Sequence, residues 1–308
     1  MHSRNRYAQP HDFPALTKVV PDLLDHLITT PDGRTSLNFT SPQAVRLLNQ
    51  ALLLRDYGLK YWNIPEGNLC PGVPGRLDYI HALAELLEED QARTQEHVKG
   101  RKEQKKKGGK EPMRITGLDV GTGASLIYPI LGSKEYGWNF IATDVAERSI
   151  KVAAAIVKVN PGLAKKVTLR RQPEPSAIFR NVIRPGEQFD FTMCNPPFFE
   201  SAEAAGAAAR LKWEKLGKTT GPSPTLNFGG QANELWTDGG ELAFLRQMIK
   251  ESVDYASQVG WFTTLVSKKG YLKIAEIEFS RIGITDTRII GIGQGGKLRR
   301  VLCWRVEH

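Results

Sequence analysis

The 308-residue chain has the composition of an ordinary globular protein, with 41% hydrophobic and 24% charged residues. No apolar run approaches the ~18 residues of a transmembrane helix, and the first residues lack the apolar stretch of a signal peptide, so we expect a soluble intracellular protein without a membrane partner. The formal net charge of +9 indicates a polyanionic partner such as a nucleic acid, although many soluble proteins are mildly basic.

Residues 1–98 are predicted to be mainly helical. The opening stretch HSRNRY places Arg4 and Arg6 on an extended arm, a weak nucleic-acid signal that a frayed terminus would explain equally well. Helical spacing of apolar residues predicts one helix over 41–58, with a Ser cap and a Pro at its first position, and a second over 76–91. The stretch between them is rich in Pro and Gly and is predicted to be a loop.

A basic stretch separates this region from the rest of the chain. Residues 99–114, KGRKEQKKKGGKEPMR, hold eight basic and two acidic residues with no apolar periodicity, so residues 99–113 are predicted to be a disordered linker. Contact with RNA or DNA and a plain solvated tether are equally consistent with such a run. The linker predicts two domains, a helical N-terminal RNA-binding module over 1–98 and a second domain over 114–308.

Residues 114–308 alternate between strand and helix patterns. The alternation predicts a parallel, doubly wound α/β sheet with right-handed crossovers, and the Gly-rich turn within 284–306 adds a terminal antiparallel hairpin. This is the pattern of class I methyltransferases, a Rossmann-like fold with a seven-stranded sheet. The predicted strands are 114–120, 139–144, 166–171, 189–194 and 260–266, and the predicted helices are 147–160, 240–256 and 270–283.

The turn after the first of these strands, DVGTGAS, has the character of a nucleoside-binding turn. Gly121 and Gly123 fit a dinucleotide fingerprint, but its third glycine is replaced by Leu126, which weakens that interpretation. Asp119 before the glycines can anchor the turn and form hydrogen bonds to an ammonium group or to loop amides, and this arrangement resembles the S-adenosylmethionine motif. Asp144 ends the next strand, where a carboxylate can accept both ribose hydroxyls.

A second motif, CNPPFF, ends the strand predicted over 189–194 and should face the same crevice. An adenine amine is a poor nucleophile, and acceptors that hold both its N–H bonds would aim its lone pair. The Asn195 side-chain oxygen and the Pro196 carbonyl can supply those acceptors, and Phe198 can stack on the base. The simpler interpretation is a proline-terminated strand with core phenylalanines. The three cysteines (Cys70, Cys194 and Cys303) and the six histidines are scattered, so no metal is expected.

Together these motifs are similar to N6-adenine methyltransferases that act on RNA, and the chain resembles the bacterial family that methylates one adenine of 23S ribosomal RNA. The resemblance implies S-adenosylmethionine as cofactor, RNA as partner, a monomer and a cytoplasmic location. A eukaryotic relative acting on U6 RNA and messenger-RNA hairpins shares part of the pattern and would imply a nuclear location. The resemblance is carried by RNRY (4–7), WNIPEGNLCPGVPGRLDYIH (62–81), GASLIYPILGSKEYGW (123–138), NPPF (195–198), RRQPEPSAIF (170–179), LNFGGQANELWTDGGE (226–241), WFTTLVSK (261–268) and GQGGK (293–297).

Site residues follow from the resemblance, position by position. The catalytic tetrad would be Asn195, Pro196, Pro197 and Phe198. The cofactor residues would be Arg76, Asp119, Gly121, Thr122, Gly123, Asp144 and Asn195, with Arg76 on the cofactor carboxylate. Arg4, Arg6, Lys268 and Lys269 fall where the family binds RNA phosphates, although surface basic residues are common without such a role.

Three other functions are open on the sequence: a protein-glutamine methyltransferase, a DNA adenine methyltransferase and an RNA-binding protein that has lost catalysis. The basic arm disfavours the first, the lack of a separate target-recognition region disfavours the second, and the intact Asn195 disfavours the third. The loop over 200–238 is expected to be mobile without substrate.

Overall fold

A computed structural model describes residues 1–99, 114–197, 199, 201, 204, 237–293 and 299–306, with side chains left out over 94–99. The predicted linker beyond residue 99, most of the predicted loop over 200–238, Phe198 and residues 294–298 of the predicted Gly-rich turn lie outside these residues.

Nine strands are present in the described part of the chain. Two short ones form an antiparallel hairpin in the N-terminal region, and the other seven form one sheet. They are β1 (Leu27–Thr29), β2 (Thr35–Leu37), β3 (Thr116–Val120), β4 (Asn139–Asp144), β5 (Val167–Arg171), β6 (Phe189–Cys194), β7 (Val259–Val266), β8 (Thr287–Ile292) and β9 (Arg299–Trp304).

The described helices surround this sheet. The helix α2 begins after the Ser41 cap and ends at Gly58, which has a left-handed φ of 60°. The α-helices are α1 (Phe13–Val19), α2 (Pro42–Tyr57), α3 (Val73–Lys99), α4 (Ile127–Glu135), α5 (Glu147–Val159), α6 (Pro161–Ala164), α7 (Gly240–Ser252) and α8 (Lys269–Ile282). Short 3₁₀ helices lie at residues 6–8, 21–26 and 253–255.

The strand order β5-β4-β3-β6-β7-β9-β8 puts β3 and β6 side by side at the centre of the sheet. The strands β3 to β7 run parallel, while β8 and β9 are antiparallel to their neighbours. The predicted doubly wound sheet with its terminal hairpin is therefore confirmed. Because parallel strands end at one edge, the segments that follow β3, β4, β6 and β7 meet there.

Helices cover both faces of the sheet. On one face, α7 and α8 pack against residues such as Phe262 and Trp304. On the other, the N-terminal helices join α4 and α5 in one buried cluster that also includes sheet residues such as Phe191 and Trp261. The helical N-terminal region therefore shares its hydrophobic core with the sheet.

Three local features differ from the prediction. The helix α3 begins at Val73 and continues to Lys99, because Pro74 is accepted in a first turn and the stretch 92–99 contains no Gly or Pro. The helix α1 and the β1–β2 hairpin are too short to produce a clear periodic signal. The N-terminal arm is docked on α3, where the Asn5 amide donates to Asp78 Oδ1 at 2.6 Å.

Over the described ranges, no helix is long and apolar enough to cross a membrane. The same residues contain no cluster of three or more His, Cys, Asp or Glu side chains placed to hold a metal ion.

Candidate active site

A cavity of about 390 Å³ opens at the edge of the sheet where β3, β4 and β6 end. It contains six of the seven predicted cofactor residues, together with Pro197, and it is closed on one side by the first turns of α3 and α4. Its lining includes Arg76, Gly121, Thr122, Gly123, Tyr128, Asp144, Ala177, Ile178, Asn195 and Pro197.

The glycine turn has the left-handed backbone that its sequence predicts. Gly121 has a φ of 71° and Gly123 a φ of 64°, and a Cβ built on Gly121 would meet no atom within 4 Å. Leu126, at the position where a dinucleotide fingerprint has its third glycine, also adopts a positive φ of 54° and is fully buried. The Gly121 backbone therefore borders the cavity with no side chain in between.

Asp144 ties the ends of β3 and β4 together. Its Oδ2 accepts from the Gly123 N–H at 2.9 Å, and its Oδ1 accepts from the Ala146 N–H at 2.8 Å. The Thr122 N–H donates to the Thr143 carbonyl at 2.8 Å. The carboxylate that was predicted to hold a ribose therefore also fixes the shape of the glycine turn.

Asp119 lies beneath this turn with a very different environment. It is buried, and neither of its oxygens has a hydrogen-bond partner among the described residues. Burial raises the pKa of Asp119 to about 7, with a contribution from Asp144, while Thr122 and Arg76 oppose part of the rise. The predicted anchoring of loop amides by this carboxylate is not observed, and the group suits a cation instead.

Asn195 follows β6 directly and is in contact with Arg76. The Arg76 Nη1 donates to Asn195 Oδ1 at 3.1 Å and to the Tyr128 hydroxyl, also at 3.1 Å. Pro196 is buried and Pro197 lines the cavity, so the backbone after Asn195 is held by two rigid residues. The predicted fourth member of the motif, Phe198, lies outside the described residues.

One wall of the cavity depends on a residue that the sequence did not suggest. The Glu251 carboxylate on α7 accepts from the N–H groups of Ile178, Phe179 and Arg180 at 2.7 to 3.2 Å. These bonds hold the stretch that carries Ala177 and Ile178 against the cavity. A lone Glu in a helix pattern gives no sequence signal for such a role.

Comparison with known proteins identifies the family. A family described as RNA methyltransferase matches residues 1–308. The chain belongs to this family. It is 46% identical over 321 residues to ribosomal RNA large subunit methyltransferase F of Psychrobacter arcticus, covering 99% of this chain and 90% of that protein. It is 44% identical to the protein of the same name from Klebsiella pneumoniae, covering 99% and 94%. The resemblance noted from the motifs is confirmed.

Solved structures of human METTL16 share the fold. The METTL16 catalytic domain in complex with MAT2A 3'UTR hairpin 1 superposes with a TM-score of 0.77 at 31% identity, covering 99% of this chain and 95% of that one. The N-terminal domain of human METTL16 in complex with SAH gives 0.74 at 30% identity, covering 99% and 98%. S-adenosylmethionine is therefore the cofactor to be fitted to the cavity.

The residues present suit that cofactor. It carries a carboxylate, an ammonium group and a ribose, and the cavity offers the Arg76 guanidinium and the Asp144 carboxylate, with the unpartnered Asp119 carboxylate beneath its glycine turn. The left-handed glycine at 121 leaves room for close approach of the ligand to the backbone.

The four predicted RNA-binding residues are divided between two places. Lys268 and Lys269 follow the carboxyl end of β7, at the same edge of the sheet as Asn195. Arg4 pairs with Glu88 at 2.7 Å, about 18 Å along α3 from Arg76 by helical rise. Arg6 pairs with Glu135, the last residue of α4, at 2.7 Å.

Proposed function

We propose that this RNA methyltransferase transfers a methyl group from S-adenosylmethionine to the N6 amine of one adenine in 23S ribosomal RNA. The observation that carries the proposal is the Asn195 side-chain oxygen, which lies in the same cavity as the glycine turn and directly follows β6. The names of the bacterial relatives support ribosomal RNA as the substrate.

Residues of the NPPF motif would promote methyl transfer by orienting the target amine. The Asn195 oxygen and the Pro196 carbonyl accept the two N–H bonds of the target amine and so point its lone pair into the cavity. Two prolines keep these acceptors in place, and Phe198 is proposed to stack on the base. The bound cofactor supplies an electrophilic methyl group on a sulfonium. After transfer, the amine releases one proton, and no residue acting as a general acid is required.

Cofactor binding would use charges of both signs. We assign the cofactor carboxylate to Arg76, the ribose hydroxyls to Asp144 and the ammonium group to Asp119, with Gly121, Thr122 and Gly123 giving close approach. Asp119 fits this role because it is buried and has no hydrogen-bond partner among the described residues, so a neighbouring cation would offset its desolvation.

A structured RNA hairpin is the alternative substrate, because METTL16 structures include complexes with MAT2A hairpins. The bacterial relatives are 44 to 46% identical to this chain and METTL16 is about 31% identical, which favours the ribosomal substrate.

Methylation of ribosomal RNA would place the protein in the cytoplasm, and we propose that location. Arg4, Arg6, Lys268 and Lys269 are proposed phosphate contacts. We propose residues 1–98 as the RNA-binding region, 99–113 as a basic linker and 114–308 as the methyltransferase region, with the first and last sharing one hydrophobic core.

Methyl transfer from labelled S-adenosylmethionine tests the proposal. Unmodified 23S ribosomal RNA, U6 RNA, a MAT2A-type hairpin, duplex DNA and a release-factor protein would be offered separately at equal concentration. We expect transfer to 23S RNA, with N6-methyladenosine as the product on digestion. Transfer to the hairpin or U6 RNA alone would favour the alternative, and transfer to no RNA would refute the proposal.

Asn195→Ala is expected to reduce transfer to background, because it removes an acceptor for the target amine. Cofactor affinity should stay within about threefold, because Arg76, Asp119 and Asp144 still hold the charged groups and the ribose of the cofactor. Transfer kinetics and calorimetric titration with S-adenosylhomocysteine measure the two effects. Asn63→Ala, an exposed asparagine, is the matched control and should behave as wild type. Equal loss of cofactor binding and transfer would assign Asn195 to the fold.

A further inference from the structure

The pair Arg76 and Asn195 joins the two halves of the proposed site. Arg76 comes from the first turns of α3 and Asn195 from the end of β6, 119 residues apart, and their side chains meet at 3.1 Å. A guanidinium can only donate hydrogen bonds, so the amide atom facing it must be the oxygen. This contact fixes which way the Asn195 amide is turned.

The two N–H groups of Arg76 Nη1 are both in use. One is directed to Asn195 Oδ1 and the other to the Tyr128 hydroxyl. A guanidinium has five N–H donors, so the Nη2 and Nε groups remain for a carboxylate. Two bonds from one nitrogen set the plane of the guanidinium, because rotating it would break both.

Tyr128 is itself firmly placed. It is buried at the start of α4, its ring lies under the Arg76 guanidinium at 5.6 Å, and it packs edge-on against the Tyr79 ring at 5.4 Å. Tyr128 therefore offers Arg76 a fixed acceptor on a rigid element.

We propose that Tyr128 is a positioning residue for methyl transfer: it holds Arg76, and Arg76 holds the Asn195 amide with its oxygen toward the target amine. The inference rests on the proposed function of Asn195. An amide oxygen has two lone pairs, so Asn195 accepts from Arg76 with one and from the adenine amine with the other. The same guanidinium that meets the cofactor carboxylate thereby orients the base acceptor.

Tyr128→Phe tests this, because it removes one hydroxyl and keeps the ring. At saturating cofactor and RNA, kcat is expected to fall about tenfold, with cofactor affinity changed less than about threefold and no large shift in Tm. Tyr79→Phe is the matched control. It makes the same chemical change on the neighbouring buried ring, without a bond to Arg76, and its kcat should stay within about twofold of wild type.

A double-mutant cycle asks whether Tyr128 acts through Arg76. In an Arg76→Lys background, where the bond pattern is already lost, Tyr128→Phe should change kcat by less than about twofold. An undiminished tenfold effect in that background would show that Tyr128 works by another route. An unchanged kcat for Tyr128→Phe alone would overturn the proposal, as would a loss recovered at higher cofactor concentration.

A spectroscopic measurement keeps the inference separate from the choice of substrate. The side-chain amide resonances of Asn195, assigned by their absence in Asn195→Ala, should move in Tyr128→Phe and stay in place in Tyr79→Phe, with no RNA present. Resonances that coincide in wild type and Tyr128→Phe would refute the positioning role. If wild type transfers no methyl group to RNA, the proposed function fails while this comparison still decides the inference.

Discussion

Asp119 and Asp144 are the same residue type on neighbouring strands, yet their surroundings are opposite. Asp144 accepts two backbone N–H groups within 2.9 Å, whereas the buried oxygens of Asp119 have no partner in the described part of the chain. Hydrogen bonds to a carboxylate favour its charged form, and burial without them favours the neutral form. The pKa of Asp119 is accordingly raised to about 7.

This difference predicts how the stability of the cofactor-free protein depends on pH. The folded state keeps a proton on Asp119 that the unfolded chain releases near its usual pKa of 3.8, so stability from this group falls as pH rises from about 4 and levels off above about 7. Asp119→Asn removes the effect. Relative to wild type, its free energy of unfolding should increase by about 2 kcal/mol between about pH 5 and pH 8.

Urea denaturation of both proteins at several pH values measures this gain, and titration with S-adenosylhomocysteine measures the cost. Because the neutral amide no longer faces the ammonium group with a negative charge, Asp119→Asn should bind this ligand at least about tenfold more weakly near pH 8. Parallel pH profiles for the two proteins would show that folding does not raise the pKa of Asp119.

At the scale of elements, the cavity wall formed by residues 177–180 is held in place by the Glu251 side chain. Glu251→Ala on α7 would leave the buried N–H groups of Ile178 and Phe179 unpaired, together with the N–H of the exposed Arg180. We expect a loss of about 2–4 kcal/mol in unfolding free energy, and weaker cofactor binding because Ile178 lines the cavity. Thermal denaturation and titration test both, with the exposed Lys250→Ala as control. Unchanged binding would mean that this wall does not contact the cofactor.

The elements also show what a sequence can and cannot predict. Long periodic patterns placed α2, α5, α7 and α8 and all strands of the sheet within a few residues, because each buries one face. The docking of Asn5 on α3 was not predictable, because it depends on a buried Asp78 that is distant in sequence. Tyr128 was missed for a similar reason, although its place in the first turn after a glycine turn is a usable signal.

At the scale of the whole molecule, the N-terminal helices and the sheet have one core. Trp62 is fully buried and its indole N–H donates to the Ser125 carbonyl at 2.9 Å. The Asn160 amide donates to the Tyr61 carbonyl, and its oxygen accepts from the Lys60 N–H. A sheet face this dependent on a distant segment should not remain folded when that segment is removed.

We therefore expect the full chain to unfold in a single calorimetric transition, with equal van't Hoff and calorimetric enthalpies. The fragment 114–308 alone should be insoluble or unable to bind S-adenosylhomocysteine, and co-expression with 1–99 should restore a soluble complex. If 114–308 alone bound that ligand with the affinity of the full chain, the two regions would be independent domains.

The bond between Arg76 and Asn195 has a consequence for protein engineering. The substrate specificity of an enzyme that modifies nucleic acids can be changed by replacing its target-recognition region and keeping its catalytic domain. In this protein the helix α3 belongs to the N-terminal region, and its Arg76 guanidinium contacts the Asn195 amide at the end of β6. If residues 1–100 were replaced in a chimera, the proposed site would lose Arg76 as well as the proposed RNA-binding region. New specificity is better sought by changing the surface of α1 and α2 while α3 is retained.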